Sequence, residues 1–233
     1  MPDGGAWVVA LVGAESTGKT TLAAELAEAL PALWSAHAGP AERARWPRPQ
    51  AARVGEYLRE FCDLHQRTPT RDEQQAIARE QSRRIAAACR QHPVVVADTT
   101  ALLTAVYSEQ VFGDTSLHVD ALAMHRCQVH LTLLTGLDLP WQADGLQRDG
   151  PQVREPVDHK LRRALLGDGQ SFSVVSGSGG ARLEAALAIC GPALRRHLDR
   201  TPPTVERPRW RHLCGRCGDP ACEQLTLRLA RDS

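Results

Sequence analysis

Apolar residues along the chain fall into two patterns, short unbroken runs and longer stretches with helical spacing. Unbroken runs rich in β-branched residues are typical of parallel strands covered on both faces. Four such runs are present, at residues 7–12, 93–98, 129–134 and 171–175. Helical spacing follows at residues 21–30, 70–91, 102–111, 117–126 and 182–198. This alternation predicts an α/β fold, a three-layer sandwich of a parallel sheet between helices.

Three segments depart from this alternation. Residues 31–53 are rich in proline, alanine and arginine and predict an irregular excursion. Residues 144–163 are polar, contain glycine and arginine, and predict a mobile segment. A Thr-Pro-Pro sequence at 201–203 predicts a boundary between a domain at 1–200 and a short cysteine-containing tail at 201–233.

A capping box is predicted at Thr70 and Glu73, at the start of the second helical stretch.

The loop after the first apolar run reads Gly-Ala-Glu-Ser-Thr-Gly-Lys-Thr, which is a complete phosphate-binding loop between a strand and a helix. The fold class is therefore that of the P-loop nucleoside triphosphatases. The two glycines let backbone N–H groups turn inward around a polyphosphate, and the helix N-terminus adds partial positive charge. Lys19 is predicted to reach the terminal phosphates and Thr20 to hold Mg²⁺. The predicted ATP and phosphate contacts are Gly13, Glu15, Ser16, Thr17, Gly18, Lys19, Thr20 and Thr21.

Two carboxylates follow predicted strands. Asp98 ends the second apolar run and is predicted to lie near the metal, although an aspartate before two threonines also suits a helix cap. Glu56 follows a short strand and precedes a helix, where it can bind or deprotonate an acceptor hydroxyl, or simply stabilise the helix N-terminus. Thr99 stands where many ATP-hydrolysing machines carry a glutamate, and the chain has no guanine-reading Asn-Lys-x-Asp motif. Small-molecule phosphoryl transfer is therefore favoured.

Four arginines lie in or near the polar segment, Arg148, Arg154, Arg162 and Arg163. Kinases close such a segment over the phosphates, so we expect one or two of these side chains, Arg148 and Arg154 first, to contact phosphate. The alternative is a solvated basic helix face.

Several motifs occur in one order along residues 7–198 and closely resemble the kinase domain of NadR-type ribosylnicotinamide kinases, a P-loop ATPase (AAA) family. After the phosphate loop they are Gly-Glu-Tyr-Leu-Arg-Glu-Phe at 55–61, Ile-Ala-Arg-Glu-Gln at 77–81, Ala-Asp-Thr-Thr at 97–100, Phe-Gly-Asp at 112–114 and Pro-Trp-Gln-Ala-Asp-Gly-Leu-Gln-Arg at 140–148. Gly55 and Phe61 depart from the family pattern, which has proline and tyrosine there.

The resemblance implies ATP- and Mg²⁺-dependent phosphorylation of nicotinamide riboside to its mononucleotide, a step of NAD biosynthesis by salvage. It implies that Asp98 is a metal or base position and that Glu56 and Arg59 line the acceptor side. It also implies that Trp141 and Asp144 face the substrate, with the indole stacking on a cationic ring. Trp141 also suits a plain core position. Ser176 is expected at the adenine, and no adenylyltransferase activity is expected. The alternatives are a kinase for another nucleoside or nucleotide, or an ATP-binding regulatory switch whose tail binds a partner.

Composition bounds the remaining expectations. With 28 basic and 27 acidic residues, the balanced charge predicts no nucleic-acid or membrane partner, and the phosphate-loop motifs predict a small-molecule substrate. No apolar run approaches 18 residues, so a cytoplasmic protein is expected; the sequence carries no signal for an oligomeric state. Cys62, Cys89 and Cys127 are expected to be small core residues. The tail has the spacing of one zinc knuckle or a redox pair, with Cys190 as an alternative fourth ligand. The candidate Zn²⁺ ligands are His212, Cys214, Cys217 and Cys222.

Overall fold

The computed structural model describes residues 5–142 and 150–199. Its centre is a five-stranded sheet in the order β2-β3-β1-β4-β5, and every neighbouring pair is parallel. The strands are β1 (Trp7–Val12), β2 (Ala51–Val54), β3 (Val94–Asp98), β4 (Leu131–Thr135) and β5 (Ser173–Val175). The predicted α/β fold with a parallel sheet is confirmed.

Eight α-helices connect and cover the strands in the described part of the chain. They are α1 (Lys19–His37), α2 (Pro40–Arg45), α3 (Tyr57–His65), α4 (Gln74–Cys89), α5 (Ala101–Phe112), α6 (His118–Gln128), α7 (Arg154–Gly167) and α8 (Gly179–Leu198). The turn before α4 carries the predicted cap, because the Glu73 carboxylate accepts a hydrogen bond from the Thr70 backbone N–H at 2.8 Å.

Alternate residues of β1 enter different cores, as the two-residue period of a strand requires. Trp7, Val9 and Leu11 pack with the buried residues of α1 and α8. Val8 packs instead with Ile85 of α4. The sheet therefore lies between α1 and α8 on one face and helices of the α4–α7 series on the other, which is the predicted three-layer arrangement.

The prediction of an irregular excursion at residues 31–53 was wrong for most of that segment. Residues 31–53 contain the end of α1, all of α2 and most of β2, and α1 runs through Pro31 because Trp34, only 2% exposed, is buried beyond it. Residues 154–163 belong to α7, whose buried Val157 and Leu161 anchor it to the sheet. At residues 31–53, tertiary burial thus outweighs the local helix-breaking signals.

The cysteine predictions have mixed outcomes. Cys62 is buried, but Cys127 is exposed and is no core residue. Cys190 of α8 is fully buried in the core that α8 forms with α1, and burial raises the pKa of its thiol to about 12. Its role as an alternative fourth zinc ligand stays a prediction. The other candidate zinc ligands lie outside the described residues: His212, Cys214, Cys217 and Cys222.

None of the helices described is long and apolar enough to cross a membrane.

His125 connects three elements inside the fold. Its Nδ1 atom lies 3.0 Å from the Thr100 hydroxyl at the start of α5, and its Nε2 atom lies 2.8 Å from the Thr132 hydroxyl of β4. The ring is 1% exposed, and burial lowers the pKa of His125 from 6.5 to about 4. The native protein therefore holds a neutral imidazole at pH values where the unfolded chain binds a proton.

This linkage predicts acid sensitivity. Because the unfolded chain gains the proton first, stability from His125 is complete above pH 6.5 and is lost as the pH falls towards 4. Between pH 7.5 and pH 5 we expect a loss of about 2 kcal/mol in the free energy of unfolding, measured by urea denaturation. The variant H125N should be less stable at pH 7.5 but should lose correspondingly less over the same interval. An identical pH dependence in the two proteins would contradict this assignment.

Candidate active site

The phosphate-binding loop passes very close to the end of β4. A Cβ atom placed on Gly13 would lie 2.1 Å from the Thr135 hydroxyl oxygen, so only glycine fits there. Gly18, which precedes α1, has φ +74° and lies where its own Cβ would be 2.9 Å from Leu139. These two glycines let the loop turn tightly over the carboxyl ends of β1 and β4.

Side chains of the loop itself and of β4 hold the phosphate loop in its conformation. The Thr17 hydroxyl lies 2.7 Å from the Ala14 carbonyl and 2.7 Å from the Thr135 hydroxyl. The Lys19 ammonium donates to the same Ala14 carbonyl at 2.7 Å, across the mouth of the loop. Lys19 is thereby held at the place where a phosphate-binding loop presents its lysine.

Asp98 lies at the carboxyl end of β3, beside Leu11 of β1, and is 2% exposed. Its Oδ1 atom is buried and has no hydrogen-bond partner among the described residues. The helix cap is Thr100, whose hydroxyl accepts a hydrogen bond from the Leu102 N–H at 3.4 Å, so the alternative role of Asp98 as a cap was wrong. An unpartnered carboxylate oxygen at this edge, with Thr20 exposed at the first turn of α1, fits Mg²⁺ and its bound water.

Thr99 has φ +80°, a strained conformation for a β-branched residue. Two contacts hold it. The Thr99 N–H donates to the Leu11 carbonyl at 3.0 Å, and the Thr99 carbonyl accepts from Gln81 Nε2 at 3.3 Å. These two hydrogen bonds hold the strained backbone in place directly after Asp98.

Gln81 of α4 also holds the turn that carries Glu56. Its Oε1 atom accepts from the Tyr57 N–H at 2.8 Å, and its Nε2 atom donates to the Gly55 carbonyl at 3.2 Å. One buried amide therefore positions the segments of both predicted carboxylates.

Glu56 lines a cavity of about 410 Å³ between α3, α4 and α5. The Glu56 side chain makes no capping hydrogen bond to α3, and its Oε2 atom lies 4.0 Å from Arg59 Nε. Polar lining comes from Glu15, Glu56, Arg59, Gln74 and Arg71, and aromatic lining from Tyr107 and Phe112. Because Glu15 belongs to the phosphate loop, the cavity and the loop form one continuous site.

Arg182 of α8 ties the phosphate loop to the turn after β5. Its guanidinium donates to the Thr17 carbonyl at 2.8 Å and to the Gly177 carbonyl at 2.7 Å. Asp138 lies 3.4 Å from the same guanidinium and accepts the Gly177 N–H at 2.6 Å. Ser176, the residue expected at the adenine, therefore stands in a turn braced against the loop.

The other residues predicted for the site have different surroundings, and not all of them lie at the cavity or the phosphate loop. Arg154 Nη2 donates to the carbonyls of Leu137 and Leu139, at 3.2 and 2.8 Å, and braces the segment after β4. Arg162 pairs with Asp158 and Arg163 with Glu109, so each is held by a carboxylate of the α5–α7 surface. Trp141 is half-buried, but it is outside the set of described residues that line the cavity. Asp144 and Arg148 lie outside the described residues.

A family model for the AAA domain matches residues 8–182, three quarters of the chain. The chain belongs to this AAA domain family. No curated protein matches its sequence. Among solved structures, this AAA domain is similar to NadR protein in complex with NR, with a TM-score of 0.61 and 18% identity over 83% of this chain and 51% of that one. NadR protein in complex with NAD and AMP-PNP gives a TM-score of 0.59 and 18% identity over 82% and 50%.

Thymidylate kinase from Ehrlichia chaffeensis is similar as well, with a TM-score of 0.52 and 13% identity over 80% of this chain and 97% of that chain. The AAA domain protein spans about half the length of the NadR proteins it matches. These similarities establish the P-loop fold that the sequence predicted.

Several site residues have little or nothing in the sequence that marks them as functional. Arg182 and Gln74 lie in helices whose pattern shows only that they are helical. Thr135 and Asp138 follow an apolar run, and their position at a strand end is the single clue that sequence offers. Gln81 is buried with Ile77 and Ile85 of the same helix, but its role as an amide bridge depends on contacts between separate elements.

The bracing by Arg182 predicts an effect on nucleotide affinity. R182M removes the hydrogen bonds to the loop and to the turn after β5, and we expect ATP to bind about tenfold more weakly by isothermal titration calorimetry. R196M, which alters an exposed arginine of the same helix, is the matched control. D138N, which keeps the buried guanidinium, should show a smaller loss in the same direction. Unchanged ATP affinity in folded R182M would contradict the bracing role.

Proposed function

We propose that this AAA domain protein is an ATP- and Mg²⁺-dependent small-molecule kinase, with nicotinamide riboside as the acceptor. The observation that carries the proposal is the continuity of the phosphate loop with the cavity beside Glu56. In that arrangement an acceptor in the cavity places its hydroxyl at the open end of the loop, as in-line phosphoryl transfer requires.

The size and lining of the cavity support a nucleoside acceptor. About 410 Å³ is within the range of roughly 300–1,000 Å³ that is usual for small-molecule sites. Two carboxylates, Glu15 and Glu56, and two aromatic rings, Tyr107 and Phe112, suit a ribosyl group attached to a cationic ring.

The charges favour a nucleoside over a nucleotide. A phosphorylated acceptor needs cations that are available to it. Of the two arginines in the lining, Arg71 pairs with Asp114 at 3.0 Å and Arg59 lies 4.0 Å from Glu56. The arginine charge in the cavity is therefore matched by carboxylates, which makes thymidylate-like acceptors a poorer fit.

The chain's own residues divide the chemistry between the two sides of the site. Backbone N–H groups of the loop and Lys19 bind the β- and γ-phosphates. Thr20 and Asp98 would hold Mg²⁺, which neutralises charge on the phosphates when it is bound. Glu56 accepts the hydrogen bond of the attacking hydroxyl, and Glu15 and Arg59 orient the acceptor. Burial of Asp98 and Lys19 keeps water away from the transfer.

The test is ATP consumption by the purified full chain, with nicotinamide riboside, uridine, thymidine or thymidylate, and mass spectrometry of the product. We expect stimulation by nicotinamide riboside and a product heavier by one phosphate. K19A should lose at least a hundredfold in kcat while it keeps its fold, because the terminal phosphates lose their cation. K160A is the matched control, since Lys160 is the only other lysine in the sequence and lies near Glu109.

The other outcomes separate the alternatives. Stimulation by uridine, thymidine or thymidylate alone would replace the acceptor but keep the reaction class. Slow ATP hydrolysis that no acceptor stimulates would favour a regulatory switch, and full turnover by K19A would overturn the kinase assignment. Zinc in the tail is a separate proposal, tested by metal analysis of the full chain and of the C214S variant.

A further inference from the structure

Gln74 is a buried polar residue whose side-chain oxygen accepts no hydrogen bond from the described residues. It begins α4 directly after the Arg71–Glu73 turn, is 4% exposed, and lines the cavity. Its Oε1 atom is buried and has no hydrogen-bond partner among the described residues. A buried carbonyl oxygen without a donor is costly, so such an atom at a cavity wall points to a ligand that supplies one.

Gln81, two helical turns later on the same face, makes the contrast clear. Both residues are glutamines of α4 and both are buried, at 4% and 1% exposure. The Gln81 amide binds backbone groups of Gly55, Tyr57 and Thr99, so its role is to position the chain. The Gln74 carbonyl oxygen has no such backbone donor in the described chain.

The position of Gln74 indicates which part of the acceptor it contacts. Gln81 Nε2 binds the carbonyl of Thr99, beside Asp98, at the reacting end of the site. Seven residues of α-helix separate the two glutamines, a rise of about 10 Å away from that end. Gln74 therefore faces the part of the acceptor remote from the hydroxyl that receives the phosphoryl group.

Resting on the proposed kinase function, we infer that Gln74 is a specificity-determining residue. Its Oε1 atom accepts a hydrogen bond from an N–H or O–H group at the remote end of the acceptor. Arg71, three residues before Gln74 in the same lining, pairs with Asp114 at 3.0 Å, so its charge is matched at that end. The cavity therefore selects acceptors that donate, such as a ring bearing a carboxamide, over acceptors that present a carboxylate at that end.

The test compares nicotinamide riboside with its analogue in which a carboxylate replaces the carboxamide. The wild-type protein should show a kcat/KM at least tenfold higher for the carboxamide. Q74L should lower kcat/KM for the carboxamide by about tenfold, mainly through KM, and should reduce the preference between the two acceptors. Q74E keeps an accepting oxygen, so it should retain more carboxamide activity than Q74L and should disfavour the carboxylate analogue further.

Q75L is the matched control, because Gln75 is an exposed glutamine next in the same helix, and both its activities should equal those of the wild type. Stability gives a readout independent of activity. Since Q74L removes a buried unpaired oxygen, its urea midpoint should equal or exceed that of the wild type.

Each contrary result has a distinct meaning. A wild-type protein that phosphorylates both acceptors equally, or a Q74L variant that loses both activities in the same proportion, would overturn the inference and leave the kinase assignment intact. A lower urea midpoint in Q74L would also overturn it, because the amide would then be a structural group. Absence of any acceptor phosphorylation by the wild type would overturn the kinase function and the inference together.

Discussion

The close approach of the phosphate loop to β4 is the constraint on which the rest of the site depends. No side chain fits between Gly13 and the Thr135 hydroxyl, so the loop rests directly on the strand end. Thr17 and Lys19 then share the Ala14 carbonyl, at 2.7 Å each, and the loop closes on itself. The positions of the other loop residues, from Glu15 in the cavity to Thr20 at the first turn of α1, depend on this contact between the loop and β4.

Two buried side chains transmit the position of the loop to the two sides of the site. On the β5 side, Arg182 binds the Thr17 and Gly177 carbonyls, so the loop and the turn containing Ser176 cannot separate without breaking hydrogen bonds to a buried charge. On the cavity side, Gln81 holds the backbone at Gly55 and Thr99. The catalytic edge is thus fixed by polar contacts from helices, and the sheet supplies its register.

Much of the fold could be predicted from the sequence, because unbroken apolar runs and a complete phosphate loop are strong local signals. The runs ending at Asp98 and before Gly13 gave the strands and their carboxyl edge. The failure at residues 31–53 has a physical cause. Local proline, alanine and arginine content predicts irregularity, but Trp34 gains more by burial than the local signals cost.

The site was predictable to a smaller extent. Glycines, Lys19 and the strand-end carboxylates have fixed places relative to local elements, and local elements are visible in sequence. Bridging residues such as Arg182 contact backbone atoms more than a hundred positions away, so nothing near them in the chain marks their role.

The two glutamines of α4 illustrate how one helix face can serve both scaffold and ligand. Amides are equally polar at both positions, and the helix period brings both to the same face. The two glutamines differ in whether backbone hydrogen-bond partners lie within reach of the side-chain amide. At Gln81 the strained turn at Thr99 and the start of α3 bring backbone groups within reach, whereas at Gln74 the helix has moved beyond the strand ends and faces the cavity. A satisfied amide holds the carboxylates in place, and an unsatisfied one is left to discriminate among acceptors.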